Sequence, residues 1–208
     1  GAAAIAEALK FNLSLTSINL GINSLGNEGA AKIAEMLKMN ESLLSLSLAD
    51  NSLGIEGASA IGNVLNMNTS LISLDLGGNS FGNMGASGIA EAIKHNSTLT
   101  ALNLTENSFG NEAAAKLFAA LKTNSSLTSL HLSFNGITDA GASVIAVALK
   151  VNTSLKSLNL SYNSIELKGA ITISRTLRFN PSLSQLIIKE RNLRACFEEL
   201  PDLAVNTE

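Results

Sequence analysis

The sequence is short of charge. Lysine, arginine, aspartate and glutamate make up 15% of its 208 residues, and the net charge is −3. Folded domains usually carry about a quarter. With 46% hydrophobic residues in a chain of single-domain length, a sizeable core is expected and disorder is not. A basic excess is also missing. A nucleic-acid face needs clustered lysine and arginine to displace counterions, so no nucleic-acid partner is expected. No apolar run approaches the length of about 18 residues that a membrane-spanning helix needs. The opening Gly1-Ala2-Ala3-Ala4 lacks the charged start of a secretory signal. Cysteine occurs once, at Cys196, which excludes an intrachain disulfide. That scarcity points to a reducing, cytoplasmic compartment.

Groups that do chemistry are equally sparse. The two histidines are His95 and His131. With one cysteine and no carboxylate cluster beside either histidine, neither a metal nor another cofactor is expected. No G-x-x-x-x-G-K-[ST] phosphate loop occurs.

What is present is a period. Asn23, Asn51, Asn79, Asn107, Asn135 and Asn163 recur every 28 residues. Asn12, Asn40, Asn68, Asn96, Asn124, Asn152 and Asn180 form a second ladder with the same step, and Ala30, Ala58, Ala86, Ala114, Ala142 and Ala170 a third. Around the first ladder each unit reads L-x-x-L-x-L-x-x-N-x-L, as in Leu127, Leu130, Leu132, Asn135 and Ile137. The apolar spacing there is two, the mark of a short strand. Further on it becomes helical: Ala30, Ile33, Ala34 and Leu37 share one face. Glycine near each helix start (Gly29, Gly57, Gly85, Gly141, Gly169) predicts close backbone approach, and Ala113 breaks that column. The alanine column is expected to be the helix's tightest contact with the sheet side. The second asparagine ladder is expected to end each helix in a left-handed conformation. A buried asparagine at each strand end offers both donors and acceptors to neighbouring turns, so the first ladder is read as structural. Most N-x-[ST] sequons fall in the second ladder and are read as by-products of the repeat. Asn103 and Asn159 carry the others.

This pattern resembles the leucine-rich repeat, and the 28-residue unit with a full helix is similar to the ribonuclease-inhibitor-like subfamily. That subfamily includes intracellular immune-receptor sensor domains and the Ran GTPase-activating protein. The resemblance implies an α/β solenoid, a horseshoe with a parallel sheet on the concave face and helices on the convex face. Strands stack about 4.8 Å apart whereas helices are about 10 Å across, so the stack must curve toward the sheet. The whole chain, 1–208, reads as one domain. A partial N-terminal repeat covers 1–14, six full repeats cover 15–182, and an atypical capping repeat with a tail covers 183–208. The N-terminus opens inside a helix, with no strand before it. The expectation is either a fragment of a longer chain or a first helix that packs on something else. Self-association through that helix, around Ile5 and Leu9, is one form of this.

The resemblance implies a protein-interaction module rather than an enzyme. The alternatives are a small-GTPase regulator of the Ran-activator type, or the interaction or spacer arm of a larger multidomain protein. That protein is a sensor, or a bacterial effector delivered into a host cell. In the activator an arginine in an early repeat loop is associated with activity; this chain departs from it, having no arginine before Arg175. A Ser133, His131, Asp75 triad fails on reach: residues two apart on a strand lie about 7 Å apart, and two strand spacings add nearly 10 Å.

Candidate partner-binding residues are therefore sought on the concave face. They are Phe134, Tyr162, His131, Glu106, Asp75, Asp50, Asn159 and Glu190. Phe134 and Tyr162 fall in neighbouring repeats, rimmed by Glu106 and Glu190. They read either as a binding hot spot or as rings lying along the loop to shield the core. Asp50, Asp75 and Glu106 read either as a preference for a basic partner or as a solvated face.

Overall fold

The computed structural model describes residues 1–188. The expected cap at 189–208, with Lys189, Glu190 and Cys196, lies outside the described residues. The helices are α1 Ala2–Leu9, α2 Gly26–Leu37, α3 Gly54–Leu65, α4 Gly82–His95, α5 Gly110–Leu121, α6 Asp139–Leu149 and α7 Leu167–Leu177. The strands are β1 Ser17–Asn19, β2 Ser45–Ser47, β3 Ser73–Asp75, β4 Ala101–Asn103, β5 Ser129–His131, β6 Ser157–Asn159 and β7 Gln185–Ile187. They form one parallel sheet in chain order, and each strand residue pairs with the one 28 positions on, as Leu46 does with Leu74.

Each strand spans three residues, and its middle leucine is buried from β2 to β7. The flanking serines, asparagines and others face away from the helices. One continuous core fills the space between sheet and helices. The helices begin three residues before the glycine column in α2, α3 and α4 and two before it in α6 and α7. At Gly57 and Gly85 an added Cβ would lie 3.1 and 3.0 Å from Ala30 and Ala58 of the preceding helix. The close approach is thus helix to helix, with Ala30, Ala58 and Ala142 each set against the next repeat's glycine. Gly62 and Gly88 bring α3 and α4 nearer still: a Cβ on Gly62 would lie 2.6 Å from the Gly88 carbonyl oxygen.

The second asparagine ladder corrects an expectation. Its members are absent from the left-handed residues, and Asn96 is extended (φ −71°, ψ 129°). Their side chains do the work instead. Asn40 Oδ1 accepts from the N–H groups of Ser42 and Leu43, and its Nδ2 donates back to the carbonyls of Leu9 and Asn12. Asn96, Asn124, Asn152 and Asn180 repeat this pattern. The helix end is closed by a link to the previous repeat.

Left-handed residues cluster in the strand-to-helix loop. Ile22, Asp50, Gly78, Glu106, Phe134 and Tyr162 have φ between 53° and 67°. Side chains disfavour this region by about 1–2 kcal/mol. The loop backbone overrides that preference, because from Ile22 to Phe134 each N–H continues the sheet's ladder: Ile22 to Ala49 O at 2.9 Å, Asp50 to Gly77 O at 2.8 Å. Ile22 is 81% exposed and contributes little to the core. Ile22→Asn is therefore expected to raise stability by about 1 kcal/mol. The urea midpoint should move up, and a lower midpoint would show that the loop is not strained there.

In the N-terminal helix Leu9 is 8% exposed and Ile5 packs partly buried against the core, so both face this protein's own interior. The exposed side of α1 carries Ala3, Ala4, Glu7 and Ala8.

Candidate partner-binding face

The concave face is built from four columns: the two outward residues of each strand, the residue after the strand's last leucine, and the left-handed residue that follows. Column two is partly structural. Asp75 Oδ1 accepts from the Gly77 N–H at 3.0 Å and from Asn103 Nδ2 at 2.8 Å. Asn159 Oδ1 accepts from the Ser161 N–H at 3.0 Å, as Asn19 and Asn103 do at their own exits. A short side chain with an acceptor oxygen here closes the turn from strand to loop. These residues shape the face as well as line it.

Asp50 sits in column four and leans across its neighbour. A Cβ built on Gly78 would collide with the Asp50 carboxylate, so glycine makes room for it. Glu106, one repeat further, is exposed, and its carboxylate has no hydrogen bond or ion pair among the described residues. Phe134 and Tyr162 follow on the next two rungs. Their rings stack with centroids 4.3 Å apart and planes 13° from parallel. They remain 51% and 55% exposed. The rings pack on each other and leave half their surface to solvent. His131, at the end of β5, is partly buried three residues before Phe134 and pairs in register with Asn103 and Asn159. Glu190 lies outside the described residues.

The first asparagine ladder runs just beneath this rim. Asn51, Asn79 and Asn107 are fully buried. Asn79 Nδ2 donates to the carbonyls of Leu48, Leu76 and Gly77, and its Oδ1 accepts from the N–H groups of Asn51 and Leu53. From Asn51 on, each amide thus serves its own repeat and the one before it.

A further polar ladder escaped the sequence reading. Asn111 Oδ1 accepts from the Thr138 and Gly141 N–H groups at 2.9 and 3.0 Å. Asp139 Oδ1 accepts from Glu166 and Gly169 N–H groups at 2.8 and 3.0 Å. Asn83 reaches Ala113 N–H at 3.3 Å, and Asn27 donates to Glu56 Oε2 at 3.0 Å. From α4 on, an oxygen on one helix's first turn caps the start of the next helix, where N–H groups lack intrahelical partners. The same step was visible at these residues, but Ile55 and Leu167 interrupt it.

Ionisable groups with shifted acidity lie on the helical side. The hydrogen bond from Lys10 to Glu7 holds that ammonium above its ordinary range, and the one from Lys32 holds the Glu35 carboxyl below its own. His95 pairs with Glu91 at 2.8 Å at the end of α4, away from His131. Among the described residues no three histidine, cysteine or acidic side chains converge as for a metal, and no helix is long and apolar enough to cross a membrane.

A single parallel sheet in sequence order, backed by one helix per strand and stitched by periodic amides, defines an α/β solenoid of stacked repeats. The chain belongs to the leucine-rich-repeat family. The family described as "Leucine Rich repeat" matches residues 11–34, 40–62, 68–90, 95–118, 123–146 and 151–174. Comparison with curated proteins gave no match. Among solved structures, the chain is similar to the leucine-rich repeat-containing protein LegL7 from Legionella pneumophila. That match has a TM-score of 0.62 and 22% identity, over 88% of this chain and 60% of the other. It is also similar to the tropomodulin C-terminal domain from Caenorhabditis elegans, with a TM-score of 0.51 and 14% identity over 86% and 92% of the two chains. A structure titled Leiomodin-1 Actin-Binding Site 2 matches at a TM-score of 0.48 and 21% identity, over 84% and 86%. The likenesses to LegL7 and to the tropomodulin domain show the fold alone.

Proposed function

We propose that this chain is a protein-interaction module that binds a partner on its concave face, anchored at the corner formed by Phe134 and Tyr162. The 28-residue unit with a full helix supports the ribonuclease-inhibitor-like type of repeat. One observation carries the anchor: two aromatic rings, stacked and half exposed, held in a backbone conformation that bulky residues avoid. Strain of this kind persists where the surrounding structure enforces it, and it gathers at binding sites. Large, rigid aromatic side chains are also what dominates interface energetics.

The test begins with affinity capture from cell lysate, identification of the captured protein, and measurement of its affinity in purified form. The variant is Phe134→Asn with Tyr162→Asn, because asparagine tolerates the left-handed region. Losing the stack costs about 0.5–1.5 kcal/mol, which relief of backbone strain offsets. Stability should therefore change by no more than about 1 kcal/mol. Affinity should fall about thirtyfold or more, the signature of hot-spot residues. An unchanged affinity in a stably folded variant would move the anchor elsewhere on the face.

A further inference from the structure

We infer that the corner takes an arginine side chain of the partner protein, its guanidinium lying on the free face of Phe134 and paired with Glu106. This rests on the reading of that corner as the anchor.

The geometry of the column carries it. Glu106, Phe134 and Tyr162 leave the backbone on consecutive rungs, since Glu106 N–H bonds to Ser133 O at 2.9 Å and Phe134 N–H to Ser161 O at 3.1 Å. Rungs of a parallel ladder are about 4.8 Å apart. The ring separation of 4.3 Å is close to that spacing, so the stack runs along the column. One face of Phe134 is taken by Tyr162. The opposite face looks toward the rung of Glu106. A flat group placed there adds one more layer to the stack, with a carboxylate at its edge.

Charge selects the group. Among the described residues the four columns hold Asp50, Asp75 and Glu106, and no lysine or arginine. Asp75 already accepts from Gly77 and Asn103, whereas Glu106 is unpaired among the described residues. A cation is attracted both by the face of an aromatic ring and by this carboxylate. Guanidinium is planar and stacks, and its fork of donors matches a carboxylate, which a lysine ammonium does not do.

The experiment is a titration of isotopically labelled protein followed by amide chemical shifts. The probes are capped glycine-serine peptides, each with one central arginine, lysine, citrulline or glutamate, added to millimolar concentration. The arginine peptide is expected to shift Glu106, Phe134 and Tyr162 and to bind more weakly as salt rises. Glu106→Gln should weaken it about threefold, the size of an exposed ion pair. Phe134→Asn should weaken it about tenfold. If citrulline or glutamate peptides shift the corner as strongly as arginine, the cation assignment is wrong while the corner remains a binding site. If the arginine peptide leaves all three resonances unmoved, the assignment is overturned. The partner-affinity measurement then decides the anchor separately.

Discussion

Asn107→Leu is expected to lower stability by about 2–6 kcal/mol, whereas Asn23→Leu, in the same register, should cost less than about 1 kcal/mol. The difference lies in what each amide leaves behind. Asn107 Oδ1 accepts from the N–H groups of Asn79 and Phe81, which are buried and have no other acceptor among the described residues. The carbonyls served by its Nδ2 fare better: Leu76 O also receives Asn79, Leu104 O receives Asn135, and Thr105 O receives Gly78. Two orphaned donors, each costing about 1–3 kcal/mol, set the magnitude. Asn23 donates to Leu20 and Gly21, and its Oδ1 accepts no hydrogen bond among the described residues. Urea titration of the two variants is the check. The chain has one tyrosine, Tyr162, and no tryptophan, so tyrosine fluorescence reports on the C-terminal half alone. In the wild type it should coincide with far-ultraviolet circular dichroism, as two-state unfolding requires. In Asn107→Leu the two should separate, because the lesion weakens the interface between repeats on which a solenoid's cooperativity depends. Equal losses in the two variants would mean that the ladder acts through packing rather than hydrogen bonds.

Phe109→Ala should cost about 3–5 kcal/mol, the usual range for emptying a buried aromatic site. Phe109 is completely buried and lies 6.5 Å from Phe81, centroid to centroid, with planes 24° apart. The register reads Leu25, Leu53, Phe81, Phe109, Ile137, Ile165. The two rings thus enlarge the core in the middle repeats, where the flanking repeats use aliphatic side chains. Phe109→Leu keeps most of the volume and should cost no more than about 1.5 kcal/mol. Thermal unfolding of both variants distinguishes a volume effect from a stacking effect. A leucine variant as unstable as the alanine one would assign the loss to the pair of rings.

The repeat was readable because its physics is local and periodic. Strand leucines alternate, helix alanines and isoleucines follow the helical turn, and one asparagine per unit marks the turn between them. Seven strands in chain order and the 28-residue register follow from that spacing. Strand length did not follow. The leucines that open each motif, such as Leu43 and Leu71, lie before the three-residue strands that pair as sheet. The left-handed column was hidden because most of its occupants, isoleucine, glutamate, phenylalanine and tyrosine, are residue types that avoid that conformation when alone. Only the ladder of bonds to the next repeat forces it. The same remoteness hid the capping by Asn111 and Asp139, whose partners lie 27 and 30 residues further on. Of the candidate face, the neighbourhood of Phe134 and Tyr162 could be read from strand spacing. Their parallel stacking, and the engagement of Asp75 and Asn159 in turn closure, required side-chain positions.

The asparagine ladder also gives the molecule a history. From Asn51 on, each amide reaches back to the loop of the repeat that was synthesised before it, 28 residues earlier. At translation rates of about 5–20 residues per second, that amide arrives about 1.5–6 s after the loop it completes. During that interval the youngest loop on a ribosome-bound chain has its donors open to water, with no amide to accept them. The weak point therefore travels along the nascent chain, always one repeat behind the point of synthesis, and each new asparagine seals the repeat already made.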